Sequence, residues 1–207
     1  MAMVTRLGWL RWLVFTLIVA LPALLFLATA KTSRSDEAAG AAPQLVIDSS
    51  VAGDFEALAV ETWAKFLTVF QARANCFGDV HLRAALRLNS RAVYDPASAT
   101  VTVRVPATAA LLREALVHEF AHHVEFQCPA HRQLRPRFLA AQGWPANTPW
   151  RLDDSPANTP ASQWATIPSE QAAEATIELV LGRRQIPTGV KVKPEAIQVI
   201  RDWAAGE

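Results

Sequence analysis

His118-Glu119-Phe120-Ala121-His122 sets two imidazoles four residues apart, with a carboxylate beside the first. On an α-helix, four residues turn the chain to within about 40° of its starting direction. Both rings therefore face one point, and imidazole nitrogens at that spacing suit a zinc ion. Glu119 lies next to the first ring and is poorly placed to be a ligand. It can instead reach a water on the ion and take its proton, since zinc lowers the pKa of such a water to about 7. Three ionisable groups on an otherwise apolar helix are costly unless a metal or close partners compensate them. His123 points about 100° away from His122 and reads as a core or supporting histidine.

A zinc site with chemistry needs a third protein ligand and an open position. Downstream, Ser169-Glu170-Gln171-Ala172-Ala173-Glu174-Ala175 offers Glu170 and Glu174 on one helix face, with Glu178 a further turn along. The alanines let this helix approach closely, so that one carboxylate meets the metal and another hydrogen-bonds a ligand histidine. The spacing alone leaves open which is which, and Glu178 reads as a solvated acid. A first-turn position favours an ionised Glu170 through the helix dipole.

These residues resemble the gluzincin branch of the zincin metallopeptidases. The Glu170–Ala175 stretch is similar to the E-x-x-A-E-A second motif of lethal-factor-type catalytic domains. The resemblance covers about Tyr94 to Gly182, in motif order more than in detail. It implies Glu170 as third ligand to one Zn2+ with His118 and His122, Glu174 as its support, and peptide hydrolysis with Glu119 as general base. It also likens the strand Ala99–Val105 to the zincin edge strand that holds substrate extended. The chain departs from the pattern in lacking a tyrosine after the first motif. Tyr94, His81, His131 and Arg132 are the other groups available to steady an oxyanion.

The elements that must position these side chains are legible in part. Phe55, Leu58, Ala59, Trp63, Phe66, Leu67 and Phe70 recur at helical spacing between Gly53 and about Ala74. Leu45–Asp48 and Val80–Leu88 read as strands, and Ala99–Val105 alternates like a half-buried one. Tyr94-Asp95-Pro96 begins a turn. The motif helix runs from about Ala107 to Gln127, and Pro129 stops it. Cys128 to Pro168, rich in Pro, Asn and Trp, has no clear period and reads as a long loop. Within it Trp144, Trp150 and Trp164 either line a cleft or, as we favour, pack in the core. Ser169 reads as the cap of a helix ending at Gly182, and Pro194 opens a last one. The fold expected is α+β, zincin-like, with a small antiparallel or mixed sheet.

The chain has 207 residues and a formal net charge of +1 without a long basic run, which argues against a nucleic-acid groove. Arg6 and Arg11 precede the apolar run Trp12–Ala30, long enough to come close to spanning a membrane. The arginines belong in the cytoplasm, so the rest of the chain is exported. The expected organisation is a cytoplasmic 1–11, a single-pass anchor 12–30, a flexible tether 31–43 and a metallopeptidase domain 44–207. Ala28-Thr29-Ala30 allows the other reading, a signal peptide cut after Ala30 to release a secreted domain. Outside the cytoplasm, Cys76 and Cys128 are expected to pair. The partners expected are a peptide or protein substrate and the membrane. Two other functions stay open: a zinc-binding module that no longer catalyses, and a hydrolase of non-peptide bonds.

Overall fold

The computed structural model describes residues 42–152 and 161–207. The expected anchor 12–30 and residues 31–41 of the tether lie outside the described residues. Among the described residues, no helix is long and apolar enough to cross a membrane.

The domain is α+β. The sheet has four strands, β1 (Leu45–Ile47), β2 (Val80–Ala85), β3 (Ala92–Asp95) and β4 (Thr100–Arg104), in the order β1-β2-β4-β3. It is mixed: β1 and β4 run parallel to β2, while β3 pairs antiparallel with β4. β1 reaches its parallel neighbour through helix α1 (Gly53–Val69) and a 3-10 turn (Gln71–Cys76), as parallel pairing requires a crossover. In β4, Val101 and Val103 turn inward and Thr100 and Thr102 stay half-buried, the alternation expected of a strand with one covered face.

The strand Ala99–Val105 is not the edge strand that the resemblance implied, because β4 lies between β2 and β3. The edge strands are β1 and β3, and β3 ends at the residues read as the start of a turn. Asp95 explains the misreading. Its carboxylate accepts from Ala97 N at 3.0 Å and from Ser98 Oγ at 2.6 Å, shaping a turn that begins only after the strand is paired.

Helix α2 (Ala109–Gln127) carries the motif and lies against α1 and the sheet. Thr108 starts it, its hydroxyl accepting from Leu111 N at 3.3 Å. Trp63, Phe66 and Phe120 hold α1 to α2, with Phe120 at 4.8 Å from Trp63 and 5.5 Å from Phe66 between ring centroids. At the far end Cys128 is disulfide-bonded to Cys76, fixing the exit of α2 to the 3-10 turn.

The expected loop from Cys128 to Pro168 contains helix α3 (His131–Gln142) and a single turn, α4 (Ala161–Trp164). The inward face of α3 is His131, Leu134, Phe138, Leu139 and Gln142. That face has helical spacing, but polar residues stand at both ends of it and Pro136 lies within, so the apolar signal is short.

Helix α5 (Pro168–Leu181) packs along α2, and its Ala172 and Ala175 are buried. Ser169 does not cap it. Pro168 takes the first helical position, where its fixed φ fits and its missing N–H costs nothing, and Ile167 precedes it without a side-chain cap. Gly182 ends α5 at φ 78°, a left-handed turn that suits glycine. Helix α6 (Pro194–Ala204) closes the domain against α3 and α5.

Candidate metal centre

α2 and α5 bring three lone-pair donors to one point. His118 Nε2 lies 3.0 Å from Glu170 Oε2 and 3.1 Å from His122 Nε2, and His122 Nε2 lies 3.4 Å from the same Glu170 oxygen. The other ring nitrogens are engaged elsewhere. His118 Nδ1 is 3.1 Å from Glu174 Oε1, and His122 Nδ1 is 3.2 Å from Glu125 Oε2. A neutral imidazole that donates from Nδ1 leaves Nε2 bare. The cluster then consists of two bare nitrogens and a carboxylate oxygen facing one another, an unfavourable grouping unless a cation or a proton joins it.

The spacing fits a metal. Donors held at about 2.0–2.1 Å around a tetrahedral zinc are about 3.3–3.4 Å apart, close to the triangle found here. Among the described residues, His118, His122 and Glu170 form the group of metal-ligating side chains able to hold an ion. Glu119 is not part of it.

The electrostatics agree with a site built for positive charge. Burial works against protonating His118, but hydrogen bonds to Glu170 and Glu174 outweigh it and raise its pKa to about 10. His122 is raised as well, burial being outweighed by the Glu170 charge and the Glu125 hydrogen bond. Burial would raise the Glu170 carboxyl, yet the nearby His122 charge and the hydrogen bonds from both imidazoles bring it far below its usual range. Glu119 goes the other way. Burial raises it, and the two histidines only partly offset that. A carboxylate moved upward beside a metal cluster is poised to exchange protons.

Each of these two histidines is backed by a glutamate that is itself held by an arginine. Behind His118, Arg184 pairs with Glu174 and lies 3.6 Å from Glu114, whose other oxygen accepts from Ile186 N at 2.9 Å. Behind His122, Arg151 Nε donates to Glu125 Oε1 at 2.6 Å, and Trp150 Nε1 donates to the same oxygen at 2.7 Å. Arg151 also comes within 3.0 Å of His122 Nδ1. If that nitrogen carries its proton toward Glu125, Arg151 acts on the carboxylate and not on the ring.

Glu125, Arg151 and Arg184 were missed in the sequence. Glu125 stands one turn after His122 on the same helix, a spacing that pointed to it. Arg151 and Arg184 sit in stretches without period and gave no such signal. Trp164 is a correction: it does not pack wholly in the core. Its ring stacks on His118, with centroids 5.7 Å apart and planes 24° from parallel. Trp150 is buried, and Trp144 packs partly buried against the core.

A cleft of about 250 Å³ opens on the His118 side, lined by Trp164, Glu174 and Ile177 together with Ser90 and Ala92 at the start of β3. The start of β3 thus shares this cleft with His118. Tyr94 turns elsewhere: its hydroxyl lies 3.0 Å from His123 Nδ1 and accepts from Gln127 at 2.9 Å. His123 is a fully buried core residue, His131 is buried in α3, and His81, Arg132 and Glu178 are exposed.

No family model, curated protein or solved structure gives a significant match to this chain.

Proposed function

We propose that the chain is a zinc-dependent peptidase of the gluzincin type, acting outside the cytoplasm. The observation that supports this best is the triangle of His118, His122 and Glu170 donors, with Glu119 beside it and taking no part in it. In this reading His118, His122 and Glu170 hold one zinc ion, and a fourth position on it is left for water.

Zinc bound there supplies Lewis acidity and makes water acidic enough to lose a proton near neutral pH. Glu119 takes that proton from the attacking water. It then delivers it to the amine nitrogen as the carbon–nitrogen bond breaks and the water oxygen stays on the carbonyl carbon. Glu174 and Glu125 hold the imidazoles by their Nδ1–H groups, and Arg184 and Arg151 keep those glutamates in place. The free edge of β3 is suited to carry an extended peptide, since an edge strand offers unpaired backbone groups. The Cys76–Cys128 disulfide supports the location, because such bonds persist in oxidising compartments.

The test is metal analysis of the purified protein followed by cleavage of an unbiased peptide library, with Glu119→Ala as control. Zinc at one per chain with cleavage that the control abolishes is the expected result. Zinc binding without cleavage of any peptide would leave the metal site and remove the peptidase, favouring a binding module.

A further inference from the structure

Behind the candidate metal cluster, three buried polar atoms have no hydrogen-bond partner among the described residues: His131 Nδ1, Ser169 Oγ and Trp203 Nε1. They come from three helices, α3, α5 and α6, and their residues are 6%, 2% and 2% exposed. All three residues line a single small cavity, whose wall also includes His122 and Glu125. Leaving such a group buried and unpaired is costly, so three around one space call for an occupant.

We propose that this cavity is a binding site for a water molecule that joins α3, α5 and α6. The size fits. About 20 Å³ is open to the centre of a water-sized sphere, and one water needs roughly 10–15 Å³ by that measure with 2–4 polar partners. The chemistry excludes other small occupants. Trp203 Nε1 can only donate, so it opposes a cation. The Glu125 carboxylate in the wall opposes an anion. A water accepts from Trp203, donates to His131 Nδ1, and pairs with the Ser169 hydroxyl in either sense. Ser169 immediately precedes Glu170, so the water ties the donor-bearing end of α5 to the two helices behind it. This holds whether or not the cleft cleaves peptides.

A crystal structure at a resolution that shows ordered solvent tests the site directly. One density peak within hydrogen-bond range of all three atoms is expected, and an empty cavity or an ion there overturns the proposal. In solution, water-oxygen relaxation dispersion should count one fewer long-lived water in Ser169→Val, whose added methyl group fills the space. An unchanged count overturns it. If that variant does not fold, Ser169→Ala decides by sign in urea unfolding. With water present the unfolding constant should rise about fivefold, because a hydrogen bond is lost; in a dry cavity it should fall, because an unpaired buried hydroxyl is removed.

Discussion

At the scale of single residues, the two candidate ligand histidines are supported alike, each through a glutamate and an arginine, by different parts of the chain. His118 leans on Glu174 from α5, and His122 on Glu125 from its own helix. The first support was foreseen from the resemblance and the second was not, because Arg151, which makes Glu125 a fixed acceptor, lies in a stretch with no sequence pattern. The proposed function gives Glu119 a separate task. Glu119→Gln is expected to keep zinc at full stoichiometry and to lose hydrolysis by about 10²–10⁴-fold, measured by metal analysis beside peptide turnover. Loss of both together would mean that Glu119 binds the metal. The supports predict a graded series. Glu174→Ala and Glu125→Ala should each weaken zinc binding about 10–100-fold, and Glu170→Ala should weaken it more, since it removes a donor. Competition titration against a chelator ranks the three. A Glu174→Ala more damaging than Glu170→Ala would exchange the roles of ligand and support.

At the scale of elements, strong apolar periods were legible. α1 and α2 announce themselves through Phe55, Trp63, Phe66, Leu112, Leu116 and Phe120, all inward in the structure. β3 and α3 did not. β3 is four residues long and runs into Asp95-Pro96, where turn chemistry masks a paired strand. α3 buries His131 and Gln142 as well as Leu134 and Phe138, and a half-polar inner face yields little hydrophobic period. Polar contacts explain that face: Gln142 is bonded to Gln171, and Lys193 N donates to Gln142 Oε1 at 3.0 Å. His131 has a consequence for acid stability. Burial lowers its pKa from 6.5 to about 4, with Glu125 opposing and Arg135, Arg151 and His122 adding to the shift. Folding thus keeps this base neutral. Between pH 4 and 6.5 the unfolded chain binds the extra proton, so stability is full above pH 6.5 and falls on acidification toward pH 4. The loss attributable to His131 is about 3 kcal/mol. His131→Gln should flatten the stability curve in that window, read by urea unfolding at several pH values. A variant whose acid slope matches the parent would show that His131 is already charged in the fold.

At the scale of the whole molecule, the sequence and the structure bear on location through different residues. Arg6 and Arg11 ahead of Trp12–Ala30 carry the expectation that the domain beyond that run leaves the cytoplasm. Independently, Cys76 and Cys128 are bonded across a separation of 52 residues, with Cα atoms 4.8 Å apart. Closing a loop of that length stabilises by about 4 kcal/mol in the chain-entropy account. The bond also anchors the end of α2, one turn beyond Glu125. A domain that relies on it gains most where thiols are oxidised, which is the compartment the arginines predict. Alkaline phosphatase, itself active only after export, reads this directly when fused after Pro43. Activity is expected from that fusion, and a cytoplasmic reporter at the same point should be silent. Mass spectrometry of the chain from its native compartment should then show Cys76 and Cys128 linked, with neither thiol open to alkylation. An inactive phosphatase with an active cytoplasmic reporter would place the domain inside. There the glutathione pool would keep the two thiols reduced, and the motif helix would lose its covalent tie to the 3-10 turn.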